Sequence, residues 1–220
     1  SKVDTTAGDA TTPSGLAKIS AWVDNLEKNN TAGYVYGTDL LGNVWRFDIN
    51  AASAFKFAVL RDSLGGAQPI TTAPELGLVN GQRVVFVGTG KYLETADLTT
   101  TQRQSIYAIK DEGATTTLDT PRTGTGANVF VLQTLTVSST DAAVRVASTN
   151  TVDWSSQRGW YIDLPAAQTG EGSERVNVGM DLIAGILAVP TTVPANSVCT
   201  PGGYGWVNYL DYKTGGAIDP

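Results

Sequence analysis

The sequence has 220 residues, of which 41% are apolar and only 16% charged, with a formal net charge of −6. An acidic chain with its Lys and Arg scattered rather than clustered repels phosphate backbones, which argues against nucleic-acid or anionic-membrane partners. Histidine is absent, so a Ser-His-Asp triad, a Cys-His dyad and a His-ligated zinc site are excluded.

Residues 1–14 are rich in Thr, Asp, Gly and Ala and end at Pro13-Ser14; they are expected to form a flexible lead-in. Beyond them, over 15–220, apolar positions alternate in short runs separated by turn residues, the pattern of many short strands. Strands are predicted over 16–23, 33–37, 44–49, 83–88, 105–109, 160–164, 182–189 and 204–210. The run at 83–88 is continuous and largely β-branched, as in a strand buried on both faces. Segments 129–137 and 143–147 are predicted to form a hairpin, and one short helix is placed near 93–101.

An imperfect repeat underlies these segments. Each unit reads as an apolar strand, a Gly-containing turn, and a strand closing in an aspartate: Asp48, Asp111, Asp163 and Asp211. Such units, about fifty residues apart, point to propeller blades. The predicted fold is therefore all-β, a modified or partial β-propeller of short antiparallel four-stranded blades. At roughly 45–50 residues per blade the chain supplies about four. Either it is a propeller portion incomplete at both ends, or it forms an open or sandwich-like arrangement. Unpaired edge strands at such ends are expected to favour self-association.

Few residues are arranged for chemistry, and no catalytic, cofactor-binding or metal-binding residue is assigned. Asp39, Asp48, Glu75 and Asp163 sit beside aromatics, the pairing a sugar site uses, but all four fall at strand ends, where turn capping accounts for them. Gly88-Thr89-Gly90-Lys91 lacks the first Gly and the closing Ser/Thr of a phosphate loop and reads as a tight strand exit. Trp22, Trp45, Trp160 and Trp206 fall in strands and are expected to pack, whereas Trp154, in a polar context, is the candidate exposed aromatic. Cys199, the lone cysteine, is either a free thiol or paired outside these residues. The apolar stretch at 182–189 is too short to cross a bilayer, so no direct membrane insertion is expected.

Six ordered stretches carry a family resemblance: 36–48 (YGTDLLGNVWRFD), 68–75 (QPITTAPE), 85–94 (VFVGTGKYLE), 104–111 (QSIYAIKD), 159–165 with 172–176 (GWYIDLP, GSERV), and 202–206 (GGYGW). Together they resemble the C-terminal domain of the PilY/PilC family of type IV pilus tip-associated proteins. That resemblance implies a modified β-propeller with no enzymatic activity, displayed outside the cell at the pilus tip or outer cell surface. It further implies minor and major pilins and a host or abiotic surface receptor as partners. The implied roles are pilus assembly against retraction, surface adhesion and twitching motility. Many members carry an Asp-rich calcium loop before the first stretch. Here residues 22–31 (WVDNLEKNNT) offer two carboxylates around a lysine, so a plain turn is expected and a calcium cofactor is the minority reading. Two alternatives stay open. One is an autonomous carbohydrate- or protein-binding β domain; the other is a degenerate quinoprotein-like propeller, although no quinone-site cluster of calcium and catalytic Asp is evident.

Overall fold

A computed structural model describes residues 2–16, 18–24, 27–113, 115–195 and 202–218. The first sheet is an antiparallel meander of β1 (Lys18–Trp22), β2 (Tyr34–Thr38), β3 (Asn43–Asp48) and β4 (Ser53–Val59). The turn between β2 and β3 needs Gly42. The residue has φ +76°, and a Cβ there would lie 2.6 Å from the Leu60 carbonyl oxygen.

The second sheet contains β5 (Glu75–Val79), β6 (Gln82–Gly88), β7 (Ser105–Asp111), β8 (Phe130–Gln133) and β11 (Gly159–Asp163). Its order is β5-β6-β7-β11-β8. The chain leaves β7, runs to the far edge as β8, forms a ribbon of β9 (Leu135–Val137) and β10 (Arg145–Ala147), and returns as β11. β11 pairs antiparallel with β7 and parallel with β8. The third sheet, in the order β12-β13-β14, comprises β12 (Asp181–Ile183), β13 (Ile186–Pro194) and β14 (Gly203–Asp211).

Alternation along the central strands explains the core. Val84, Phe86, Ile106, Ala108, Trp160 and Ile162 point one way and pack with Leu187, Val189 and Leu210 of the third sheet. Val85, Val87, Tyr107 and Ile109 point the other way and pack with Tyr36, Val44, Phe57 and Ala58 of the first sheet. A strand covered on both faces must be apolar at successive positions, as Val84, Val85, Phe86 and Val87 are. The sheets thus stack face to face, and among the described residues none closes on itself.

The all-β, multi-sheet prediction stands, with three revisions of detail. First, the segment at 129–137 is two strands. β9 forms the predicted hairpin with β10, but β8 pairs in parallel with β11. Second, the helix near 93–101 shrinks to one 3-10 turn, Thr95–Leu98, held by Asp97, whose carboxylate accepts the Leu93 and Glu94 amides at 2.8 and 3.1 Å. Third, Asp111 and Asp163 close neighbouring strands of one sheet rather than separate blades. Among the described residues the sheets hold four, five, three and two strands, so the four-stranded pattern belongs to the first alone.

Candidate functional site

Asp111, at the end of β7, anchors one rim. Its fully buried carboxylate accepts the Tyr36 hydroxyl, Arg46 at 2.6 Å and the Gly113 amide of its own turn at 2.8 Å. Arg83 lies 4.0 Å away. The Arg46 and Arg83 guanidinium groups cover the Tyr34 ring at 5.6 and 4.8 Å. Burial alone would raise the Asp111 carboxyl, but hydrogen bonds from Tyr36 and Arg46 outweigh it and hold the group below the usual range. Burial and the Asp111 charge push the Tyr36 hydroxyl up. This cluster joins the first sheet to the second.

A second cluster lies at the end of β11. Asp163 accepts Arg122 Nη1 at 2.6 Å and Ser105 Oγ at 2.7 Å. Arg122 stands 4.7 Å over the Tyr161 ring, which stacks on Tyr107 at 5.9 Å. Tyr107 donates to Gln68 Oε1 at 2.8 Å, and burial pushes its hydroxyl up to about 12. Beside this column a cleft of about 340 Å³ opens between the loops at 61–65 and 120–123, with Tyr161 and Arg122 in its wall. Both guanidinium-carboxylate pairs are satisfied internally, so their ionisation fixes loops rather than offering a poised acid or base.

The positions singled out from sequence meet different outcomes. Asp39 and Asp48 cap turns as expected. Asp39 accepts the Leu41 and Asn43 amides, both at 2.9 Å, and Trp45 Nε1 at 2.8 Å; Asp48 accepts the Ala51 amide at 2.8 Å. Asp163 is instead the ion-pair partner of Arg122. Glu75 opens β5, where burial and then the charge of Asp181 push its carboxyl up. Trp154 is a correction: it is buried, and its indole donates to the Lys213 carbonyl at 2.8 Å. The polar residues around it form its turn while the ring enters the core. Trp45 and Trp160 are buried, as expected for packing residues.

Gly88 and Gly90 press against the chain at Arg175-Val176, where a Cβ on Gly88 would lie 2.5 Å from Val176. Sequence reading missed Arg175, which is buried and donates to the carbonyls of Ser173, Lys91 and Asp97 at 2.9, 2.9 and 2.6 Å. Within the 22–31 segment, Asp24 accepts Trp22 Nε1 at 2.7 Å and faces Arg83 at 3.8 Å. Among the described residues no three acidic, His or Cys side chains gather as a metal site. Cys199 lies outside the described residues.

Stacked, unclosed sheets with ion-paired rims define an all-β propeller-type module. Residues 1–150 match the family described as PilY1 beta-propeller domain. A curated relative, the type IV pilus biogenesis factor PilY1 of Pseudomonas aeruginosa, is 32% identical over 248 aligned residues, covering 93% of this chain and 21% of that protein. A homolog of that factor in Xylella fastidiosa is 31% identical over 214, covering 94% and 17%. The crystal structure of the Pseudomonas aeruginosa PilY1 C-terminal domain matches with a TM-score of 0.75 at 27% identity, over 96% of this chain and 50% of that one. The chain belongs to the PilY1 β-propeller family, and it spans about a fifth of the length of its curated relatives. No helix among the described residues is long and apolar enough to cross a membrane.

Proposed function

We propose that this chain is the propeller portion of a type IV pilus biogenesis factor and acts as a non-enzymatic assembly and adhesion module at the pilus tip or outer cell surface. The observation that carries the reading is its membership of the PilY1 propeller family over most of its length. A double-faced core with ion-paired rims suits a rigid platform for pilins and a surface receptor. In this role the module supports assembly against retraction, and with it adhesion and twitching. The test is to delete the encoding gene and count surface pili, with and without the retraction motor. Loss of pili that is reversed when the motor is also removed supports the reading. Unchanged piliation sinks it.

The same reading has the 22–31 turn work without calcium, because Asp24 already serves Trp22 and Arg83. Calorimetric titration after chelator treatment should show no heat of calcium binding. Micromolar binding there would replace this view with a calcium-gated one.

A further inference from the structure

The cleft of about 340 Å³ beside the Tyr107–Tyr161 column is walled by two internal loops, at 61–65 and 120–123, and by Tyr161. Neither the 2–16 lead-in nor the 202–218 segment contributes a lining residue. Both loops are fixed before anything binds. Asp62 accepts the amides of Leu64 and Gly66, both at 2.9 Å, and Gln102 Nε2 at 2.9 Å, so its carboxylate is spent on holding its own loop. Across the cleft the Thr123 amide donates to the Thr120 carbonyl at 3.1 Å, and the Arg122–Asp163 pair pins that turn to the end of β11.

What the walls leave unspent is donors. Asp163 takes the end of the Arg122 guanidinium, one oxygen on Nη1 and one on Nη2, and the Tyr107 hydroxyl oxygen accepts from Nη1 at 3.3 Å. The Nε–Nη2 edge of Arg122, a second two-point fork, has no partner among the described residues. Arg61 is exposed; its guanidinium donates once, from Nη1 to the Gly65 carbonyl at 3.1 Å, and forms no ion pair among the described residues. The hydroxyls of Ser63, Thr120 and Thr123 are also without hydrogen-bond partners there. The buried Pro121 and the half-buried Tyr161 add apolar surface.

These features select one chemistry. A free guanidinium fork beside an unpaired arginine suits a carboxylate, and the apolar wall suits an apolar group attached to it. The volume lies at the low end of small-molecule sites, roughly 300–1,000 Å³, and so admits a ligand about the size of one amino-acid residue. A sugar fits less well, because the Tyr161 ring already meets Arg122 at 4.7 Å and Tyr107 at 5.9 Å and is no bare platform for stacking. We propose that this cleft binds a residue-sized apolar carboxylate, with Arg61 and the Nε–Nη2 edge of Arg122 holding the charge and Pro121 and Tyr161 the apolar part. Arg61 offsets the repulsion that Asp163, on the other edge of Arg122, exerts on a second carboxylate. A free small acid and the C-terminal residue of a polypeptide share this chemistry. The inference does not rest on the pilus reading.

The test is an NMR titration of the 220-residue chain with N-acetyl-leucine. Amides at 62–65 and 120–123 should shift and saturate with a Kd of about 1 mM or below, while the central sheet stays unmoved. N-acetyl-leucinamide, which lacks the charge, should bind about tenfold more weakly or worse. Arg61→Gln should weaken the acid by about tenfold and erase most of its preference over the amide, with an unchanged central-sheet spectrum verifying the fold. The comparison of acid with amide needs no variant and keeps the test decisive on its own. Acetyl-Gly-Gly-Leu separates the two sources. If it binds as tightly as the single residue, the site takes a polypeptide C-terminus; if it binds more weakly, the site takes a free acid; both support the carboxylate site. Three outcomes overturn the proposal: no saturable shift at about 10 mM acid, equal binding of acid and amide, or Arg61→Gln binding the acid as wild type does.

Discussion

The second and third sheets use similar strands in different settings. In β6 and β7 every second side chain faces one neighbouring sheet and the rest face the other, so successive residues from Val84 to Val87 are buried. In β14 only one face is covered: Asn208 and Leu210 are buried while Val207 and Tyr209 remain exposed. Apolar residues on both faces of β14 thus say what the strand tolerates, not what covers it. Among the described residues the central sheet is buried on both faces, and the third leaves Val207 and Tyr209 exposed on one.

That contrast is broken most directly at Trp160, fully buried and hydrogen-bonded to the Tyr212 carbonyl at 3.1 Å. Trp160→Ala should cost about 3–5 kcal/mol, read as a lower denaturation midpoint with an unchanged slope. Val207→Ala on the open face should stay within about 0.5 kcal/mol. Equal losses at the two sites would erase the distinction. Asp111→Ala probes the polar seam between the first and second sheets. It removes the buried carboxylate to which Tyr36 and Arg46 donate and should cost about 3–5 kcal/mol. Because Asp111 is held below its ordinary value of 3.8, its contribution is present above that value and lost as pH falls through the folded pKa. The gap between wild type and Asp111→Ala should therefore narrow in acid. Gly88→Ala, with its new Cβ 2.5 Å from Val176, should cost about 1–3 kcal/mol by overpacking.

Strands whose alternation was strong were legible in the sequence, and those with mixed signals were not. β6 announced itself as a continuous apolar run. β5 (Glu75–Val79) was missed because Gly77 interrupts it, yet that glycine is where Leu182 of β12 comes closest. Asn80-Gly81, a hairpin signal that the sequence reading did not use, joins β5 to β6: both residues have positive φ, +51° and +77°, as a two-residue type I′ turn requires. β4 (Ser53–Val59) carries a lysine within its apolar run and escaped notice. The crossover that inserts β11 between β7 and β8 leaves no local mark, because it is decided by which edge is free. At the rims, the closing aspartates were visible but their partners were not. Arg122 lies far from Asp163 in sequence, and nothing local joins them.

The third sheet repeats the Asn80-Gly81 hairpin with a poorer residue. Ala184 occupies the first turn position at φ +50°, followed by Gly185 at +84°. A left-handed alanine costs roughly 1–2 kcal/mol, a penalty that asparagine escapes in part. Ala184→Asn should therefore stabilise the chain by about 0.5–1 kcal/mol, seen as a rise in Tm of about 1–4 °C. No rise would mean that the turn is not the strained element.

The smallest effect is expected where the two sheets meet. Glu75 opens β5, and its carboxyl is raised above the ordinary 4.5 by burial first and by Asp181 of β12 second. For a raised group, the stabilising contribution is complete below the unfolded pKa and is lost as pH rises through the folded one. Glu75 therefore favours the folded state less at pH 7 than at pH 4. Glu75→Gln should raise Tm at pH 7 and match wild type at pH 4. Asp181→Asn should give a smaller rise with the same pH dependence, since it removes only the second cause. A Glu75→Gln effect that is the same at both pH values would assign the change to packing. The seam between a sealed sheet and an open one would then carry no charge strain.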